Sequence, residues 1–195
     1  AFDTYAPSGP IWKGPLLEAY ERFGDTEVDP DLSMKMMVDA LRAWDFHVRK
    51  DSVGATAYRY WRSEYGKLRP EALGENIGHG FPRSEDEQRD AVKALRLAAD
   101  HLKSVYGSTL VPWGNILRLR RGDIDLPMDG DTTFAGGTEC LRATGSANSD
   151  VLGHFIFTGG QVVSTVVELT DPVKVYSVVP YGQSRRPESP HYADK

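Results

Sequence analysis

Apolar residues in the first half of the chain recur at the three- to four-residue spacing of an amphipathic helix. Two stripes are clear, and we predict that both are helices: Met37, Ala40, Leu41, Trp44 and Val48, then Ala91, Leu95, Ala98, Leu102 and Val105. Ser84 and Glu87 precede the second stripe with the spacing of a capping box, in which the hydroxyl and the carboxylate satisfy backbone N–H groups. Asp31, which follows Pro30, is the predicted cap of the first stripe.

Two further patterns predict helices. Asp51 or Ser52 should begin a helix that ends at Gly66 and carries on one side Gly54, Tyr58, Trp61 and Tyr65. Residues 15–23 should form a shorter helix that stops at Gly24. Trp44 and Trp61 are then expected in the interface between the first two long helices, and the Pro- and Gly-containing segment 68–82 is interpreted as a long connection that could reach over a partner surface.

The pattern changes to strands near residue 108, where β-branched residues alternate with Gly, Asp and Pro. The predicted strands are 116–120, 140–144, 153–158, 161–170 and 173–179. Gly159-Gly160 is a predicted hairpin turn, because glycine tolerates positive φ. We therefore expect an α+β fold with a helical segment, 1–109, and a β-rich segment with an extended C-terminal tail, 110–195, within one structural domain.

Composition narrows the possible partners. The 195 residues carry a net charge of −5 with 40% hydrophobic residues, a balance that opposes attraction to nucleic acid or anionic lipid. The sequence has no apolar run of the roughly 20 residues that cross a bilayer, and residues 1–20 lack the pattern of a secretion signal. We expect neither a nucleic-acid nor a membrane partner.

Candidate reactive groups have simpler structural interpretations. Cys140 and His154 could form a thiol and imidazole pair, but a lone Cys is more often a small buried hydrophobe. The spacing of zinc ligands is not found among the other histidines, which are His47, His79, His101 and His191. Four carboxylates could form a calcium loop: Asp123, Asp125, Asp129 and Asp131. Because Pro127 occupies a position where such a loop needs a ligand, a solvated loop is favoured.

The basic residues and the tail serine also have structural interpretations. Arg118 and Arg120 share one face of a predicted strand and, with Arg121 and Arg142, could bind an anion; ion pairs to the acidic excess or a solvated face are the favoured interpretation. Gly122 in Arg121-Gly122-Asp123 is expected to turn the chain after a strand. Ser184 is a poor nucleophile candidate, since the sequence around it lacks the final glycine of a nucleophile elbow.

The C-terminus and four internal stretches resemble penicillin-acylase-type amidohydrolases. Residues 182–195, GQSRRPESPHYADK, are similar to a G-Q-S-x-x-P-x-S-P-H-Y-x-D-Q signature, with Lys195 in place of Gln. The β-subunits of that family carry L-x-x-W-D-G before D-S-x-A-A-x-x-x-x-x-W, with Phe46 here in place of Gly. The matching positions, which occur in the family's order, are Leu41, Trp44, Asp45, Asp51, Ser52, Ala55, Tyr58 and Trp61, then Pro112-Trp113-Gly114, Leu117-Arg118-Leu119, Leu126-Pro127 and Gly136-Gly137.

The resemblance implies an N-terminal nucleophile hydrolase, in which self-cleavage exposes a Ser, Thr or Cys whose own α-amino group is the base. Its fold would be an αββα sandwich, and this chain a fragment of it, with helices packed on a mainly antiparallel sheet. The matched region lies downstream of the family's nucleophile and oxyanion-hole Asn, and Ala1 has no nucleophilic side chain. We therefore expect no catalytic, cofactor-binding or metal-binding residue in this chain, and no cofactor.

The implied function is scaffold for hydrolysis of an acyl amide, such as a β-lactam side chain or an acyl-homoserine lactone, with the chain inactive by itself. Its implied partners are the remainder of the β-subunit, the α-subunit and a small acylated substrate, and the implied location is periplasmic or secreted in bacteria. A free-standing, non-catalytic interaction module of acylase-like fold is the alternative. A self-contained hydrolase using Cys140 and His154 is a second rival.

Overall fold

The computed structural model describes residues 3–73, 80–131, 138, 140, 144–145, 148–149, 152–157, 159–160, 164–178, 184 and 186–192. The described helices are α1 (Gly9–Phe23), α2 (Ser33–Ala43), α3 (Val53–Leu68) and α4 (Glu85–Tyr106). Short 3-10 turns follow α1, at Gly24–Thr26, and α3, at Pro70–Leu73. A third, Trp113–Asn115, follows the loop after α4. The chain is α+β, as the sequence predicts.

The strands of the described residues form one mixed sheet and two separate pairs. They are β1 (Leu117–Arg121), β2 (Ile124–Pro127), β3 (Thr144–Gly145), β4 (Asn148–Ser149), β5 (Phe155–Ile156), β6 (Gly159–Gly160), β7 (Ser164–Glu168) and β8 (Lys174–Val178). The larger sheet has the order β2-β1-β5-β4, in which β1 and β5 run parallel and the other neighbours antiparallel. β3 pairs with β6, and β7 with β8, both antiparallel.

The core lies among the helices and below the start of the sheet. α3 contacts α2 and α4, and α1 packs on α4. Its largest fully buried side chains include Trp12, Trp61 and Trp113. Burial of three indoles supplies a large share of the apolar area removed from water, because each aromatic ring buries far more surface than an average side chain.

Helices α3 and α4 begin as the sequence predicts. Ser52 Oγ accepts the N–H of Ala55 at 3.1 Å at the start of α3. Ser84 and Glu87 form the complete capping box of α4, and Gly107 ends that helix with φ of +73°. α3 continues past the predicted end at Gly66, since glycine within a helix weakens it without stopping it.

The predicted start of α1 at Pro15 is wrong. The helix begins at Gly9, with Pro10 in its first turn, where a missing N–H costs nothing. Pro15 lies inside the helix. The buried side of α1 is then longer than the sequence pattern indicated, and it includes Trp12 and Leu16.

The predicted length and cap of α2 are also wrong. The helix ends at Ala43, and Trp44 is extended with ψ of 129°, so Trp44 and Val48 are buried without being helical. Of the backbone N–H groups described at the helix start, Asp31 accepts that of Ser33, at 3.3 Å. The carboxylate of Asp29 accepts the N–H groups of Met34 and Lys35 at 3.1 and 3.0 Å, so it satisfies more of the helix start than Asp31 does.

The predicted turn at Gly159-Gly160 is wrong as well. These glycines form β6 and pair with Thr144–Gly145, while the preceding strand β5 pairs with β4 and β1. Glycine tolerates an extended conformation as readily as a turn, so the local sequence does not decide between them. Of the predicted strand 140–144, only Cys140 and Thr144 lie within the described residues.

The hairpin of β7 and β8 is exposed on both faces. Val166 pairs with Tyr176 and Val167 with Val175, and each of these side chains is about half exposed. Leu169, in the connection, is 90% exposed. An isolated two-stranded sheet is marginally stable in water, so this hairpin presents apolar surface suited to a covering partner.

Candidate functional site

We call the segment 44–52, which joins α2 to α3, the hub, because separate parts of the chain form backbone hydrogen bonds with it. On one side the N-terminal strand-like segment pairs with it: Ala6 N–H donates to the Phe46 carbonyl and Val48 N–H to the Thr4 carbonyl, both at 2.8 Å. On the other side Gly114 N–H donates to the Lys50 carbonyl at 2.6 Å. These backbone bonds connect the helices to the sheet.

Trp44 anchors this hub to the helices. Its indole Nε1 donates to the His47 carbonyl at 2.9 Å, and its ring centroid lies 4.9 Å from that of Tyr58 on α3. Gly54 lies directly beneath: a Cβ on Gly54 would stand 2.4 Å from Trp44 Cβ. The glycine is therefore required for the close approach of α3 to the hub.

Phe46 takes a left-handed conformation, with φ of +67°, in the middle of the hub. A side chain in this region of backbone space costs about 1–2 kcal/mol relative to glycine. The ring of Phe46 packs against those of Tyr5 and Trp44, and the ammonium of Lys13 lies 4.5 Å from its centroid. These contacts offset the backbone strain at the position where the family that the chain resembles carries glycine.

Trp61 and Trp113 hold the layers on either side of the hub. Trp61 is fully buried and its Nε1 donates to the Ala91 carbonyl of α4 at 3.0 Å. Its ring contacts Trp12 of α1, so the described contacts of Trp61 join α3 to α1 and α4; its place between the first two long helices stays a prediction. Trp113 Nε1 donates to the Gly130 carbonyl at 2.6 Å, after strand β2.

The remaining motif residues also take structural positions. Leu119 pairs with Leu126, and Arg118 with Pro127, in the β1–β2 hairpin. Gly122 turns this hairpin with φ of +57°, as the sequence predicts. Gly136-Gly137 and the tail residues Gly182, Gln183, Asp194 and Lys195 lie outside the described residues.

The described tail forms turns, where the sequence suggested an extended segment. Ser189 N–H donates to the Arg186 carbonyl and Tyr192 N–H to the Ser189 carbonyl, each at 3.0 Å. Ser184 Oγ accepts the N–H of Arg186 at 3.1 Å, so it stabilises its own turn. The Tyr192 hydroxyl lies 3.3 Å from where a Cβ on Gly122 would stand, which places the tail against the β1–β2 turn.

Cys140 and His154 have environments unsuited to nucleophilic catalysis. Burial raises the pKa of the Cys140 thiol to about 11, and its sulfur lies 3.8 Å from Thr138 Oγ1. A thiolate is the reactive form, and at neutral pH this thiol is protonated. His154 Nδ1 lies 3.0 Å from an Arg120 guanidinium nitrogen, which can only donate, so that ring nitrogen is an acceptor.

Three of the four aspartates that could form a calcium loop have separate protein partners. Asp125 pairs with Arg118 and Arg120 at 2.7 and 3.0 Å. Asp129 accepts the N–H of Lys50 at 2.6 Å, and Asp131 lies 3.1 Å from Arg59. Within the part of the chain that the structure describes, no group of His, Cys, Asp or Glu side chains is arranged to hold a metal ion.

Asp125 also accounts for the basic stripe of β1. Partial burial opposes ionisation of its carboxyl, but hydrogen bonds from Arg118 and Arg120 hold its pKa below the ordinary value. The two guanidinium groups are thus in ion pairs, as favoured from the sequence. The side chains of Arg121 and Arg142 lie outside the described set.

The histidines are dispersed. His47 Nδ1 lies 3.1 Å from Thr4 Oγ1, and the His101 ring lies 5.3 Å from that of Tyr60. His191 N–H donates to Ser189 Oγ at 3.2 Å within the tail, and His79 is outside the described residues.

One cavity was not found by sequence reasoning. It has a volume of about 290 Å³ and lies between α3, α4 and the start of β5. Its walls include Arg59, Tyr60, Glu64, His101, Val105 and Phe155. The α3 residues lie on one face of that helix, but a strand from far along the chain closes the cavity, so no local pattern reveals it.

Family membership follows from comparison with known proteins. A model of the penicillin amidase family matches residues 2–195. Among the described helices, none combines the length and the apolar character needed to span a bilayer. The match covers nearly the whole chain, including the motif residues that hold the hub and the sheet, and the chain therefore belongs to the penicillin amidase family.

Proposed function

We propose that this chain is a scaffold segment of an acyl amide hydrolase and is inactive by itself. Family membership implies an acyl amide hydrolase scaffold. The observation that carries the scaffold role is that the described family-motif residues build the structure. Trp44, Ser52, Trp61 and Trp113 serve as packed core residues, helix cap and donors to backbone carbonyls.

In this proposal the chemistry is supplied by another part of the enzyme. An N-terminal hydroxyl or thiol would attack the substrate carbonyl, backbone or side-chain donors would stabilise the oxyanion, and water would release the acid from the acyl-enzyme. A site of this kind needs reacting groups held within about 0.5 Å of their productive positions, which requires a rigid support. The hub and the sheet provide such rigidity. The substrate is an acyl amide such as an acylated β-lactam or an acyl-homoserine lactone.

The exposed β7–β8 hairpin supports the proposed partners. Its half-exposed valines and Tyr176 form an apolar surface that other parts of the β-subunit, or the α-subunit, would cover. The same surface is the observation that favours the alternative, a free-standing interaction module of this fold. The main proposal also places the assembled enzyme in the bacterial periplasm or outside the cell. Fractionation of the producing cell would test this location.

Reconstitution tests the main proposal. The 195-residue chain alone is expected to hydrolyse neither substrate class. Co-expression with the upstream part of its parent gene should give an assembled amidase whose turnover is abolished when the upstream nucleophile becomes Ala. Ser184→Ala in this chain should leave kcat per active site unchanged, because the described role of its hydroxyl is to accept the N–H of Arg186 within a turn.

A scaffold variant provides the matched control. A Cβ on Gly114 would stand 2.7 Å from Lys50 Cβ and Pro127 Cβ, so Gly114→Ala should lower the yield of assembled enzyme while kcat per titrated site is retained. A well-folded complex whose turnover ignores the upstream nucleophile, or depends on Cys140, would reject the proposal. Assembly with an inactive partner and no substrate turnover would instead favour the interaction module.

A further inference from the structure

The cavity between α3, α4 and β5 has unused hydrogen-bonding groups at its wall. Arg59 Nε lies 3.1 Å from Asp131 Oδ2, but this buried nitrogen makes no hydrogen bond of good geometry. That ion pair is the contact the structure describes for the guanidinium, and it leaves the two terminal nitrogens of Arg59 available to a ligand. Arg59 is held in place because Asp131, only 6% exposed at its side chain, fixes one edge of the group.

The other charged groups of the wall favour an anion. Glu64, 11% exposed at its side chain, pairs with Lys67 at 2.6 Å, so its charge is already compensated. Lys67 is 64% exposed and has further N–H groups to donate. The lining thus carries two cations and one carboxylate, with Asp131 balancing Arg59 from outside the lining, and a ligand ammonium would have to compete with Lys67 for Glu64.

The floor of the cavity is aromatic and its polar groups are satisfied. Tyr106 hydroxyl donates to the Gly153 carbonyl at 2.7 Å, and the Tyr60 hydroxyl lies 3.0 Å from it, so Tyr60 acts as the donor between them. The rings of Tyr60 and Phe155 are nearly parallel, at 6°. His101 flanks Tyr60. This floor suits a flat apolar body.

We propose that this cavity binds a small aromatic monocarboxylate, with the ring on Tyr60 and Phe155 and the carboxylate on Arg59 and Lys67. A guanidinium matches a carboxylate with parallel donors, and such charge-assisted bonds are stronger than neutral ones. The volume of about 290 Å³ is at the lower end of small-molecule sites and accommodates a one- or two-ring acid. The proposal does not depend on amide hydrolysis.

Titration of the isotope-labelled protein with benzoate, followed by amide chemical shifts, tests this site. Saturable shifts are expected at Tyr60, His101, Val105 and Gly153. Benzamide, the neutral analogue, should bind at least about tenfold more weakly, which corresponds to about 1.4 kcal/mol, and benzylammonium should cause no saturable shift. Hexanoate should bind more weakly than benzoate because it lacks the flat ring.

Two substitutions locate the site. Val105→Trp should fill the cavity and abolish binding, whereas Leu97→Trp, on the same helix and similarly exposed at 39% against 41%, should leave affinity within about twofold. The double variant Arg59→Gln with Asp131→Asn keeps the net charge and avoids a buried unpaired acid, and it should weaken benzoate at least about tenfold.

The proposal is overturned by equal binding of benzoate and benzamide, by retained binding in Val105→Trp, or by the absence of saturable shifts at about 20 mM benzoate. Unchanged affinity for benzoate in the Arg59 double variant would show that the ligand carboxylate does not bind Arg59, and this would contradict the proposal. If that variant fails to fold, the comparison of benzoate with benzamide and the Val105→Trp variant still test the proposal.

Discussion

Alanine should be tolerated at one helical glycine, Gly14, and should destabilise the protein at another, Gly54. A Cβ on Gly14 in α1 would meet nothing within 4 Å apart from its neighbours in the chain, one of which is Pro15. A Cβ on Gly54 in α3 would stand 2.4 Å from Trp44 Cβ, 2.7 Å from Trp44 Cγ and 2.8 Å from the Ala40 carbonyl oxygen. The nearest groups are backbone or the root of a buried side chain, so they cannot rotate away.

The magnitudes follow from two opposing contributions. Alanine in a helix is favoured over glycine by about 1 kcal/mol, mainly because glycine loses more backbone entropy on folding. At Gly14 the contact between an added Cβ and the ring of Pro15 opposes this gain, so Gly14→Ala should change the free energy of unfolding by less than about 1 kcal/mol. Overpacking a dense interior costs about 1–3 kcal/mol, and contacts this short lie at the upper end. Gly54→Ala should then lower the free energy of unfolding by about 1–2 kcal/mol.

Urea unfolding, followed by tryptophan fluorescence and by far-ultraviolet circular dichroism, measures both changes. The slope with denaturant should remain that of the unsubstituted protein, so the midpoint reports the change in stability. Gly54→Ala should also alter the fluorescence of the folded state, because Trp44 has to move. If Gly54→Ala lowers stability no more than Gly14→Ala does, the close approach of α3 to the hub is wrong.

Two further predictions concern the hub and the start of α2. Phe46→Gly and Phe46→Ala both remove the ring, and since φ at this position is +67°, the glycine variant should be more stable by about 1–2 kcal/mol; equal denaturation midpoints would contradict the left-handed backbone. Partial burial opposes ionisation of Asp29, but hydrogen bonds from Met34 and Lys35 and the charge of Arg96 hold its pKa below the ordinary value. A lowered folded-state pKa gives stability that is present above the unfolded pKa, near 4, and is lost as pH falls through the folded-state value. Asp29→Asn should therefore be less stable at neutral pH and lose less stability between about pH 5 and pH 3, and an unchanged pH profile would contradict the role of this carboxylate.

The sequence predicted features that depend on local chemistry. The capping box of Ser84 and Glu87 is read directly from residues three apart, and Ser52 is a standard cap, so both helix starts were found. The end of α2 was missed because Trp44 continues the apolar period. What ends the helix is the long-range pairing of residues 46 and 48 with the N-terminal segment. Such pairing leaves no mark in a local pattern.

In the candidate site, too, some features follow from the local sequence and others depend on the tertiary fold. Cys140 and the aspartates were interpreted as structural from residue type and spacing, and the structure gives them buried or ion-paired surroundings. The cavity at Tyr60 was missed because Phe155 closes it from 95 residues further along the chain. Only the tertiary fold brings Arg59, Val105 and Phe155 together.

The parallel pairing of β1 and β5 has a consequence for the order of folding. Leu117 pairs with Phe155, so this pairing requires closure of the loop 122–154, whereas α3 and α4 are joined by the shorter connection 69–84. Loop closure is an entropic cost that must be met before the contact stabilises the chain, so distant strand pairs form slowly. We expect the helical layer to assemble first and to offer Tyr60 and Trp113 as a preformed surface on which Phe155 docks late. During biosynthesis, the aromatic floor of the cavity would therefore stay open to solvent until the ribosome has released the residues that close it.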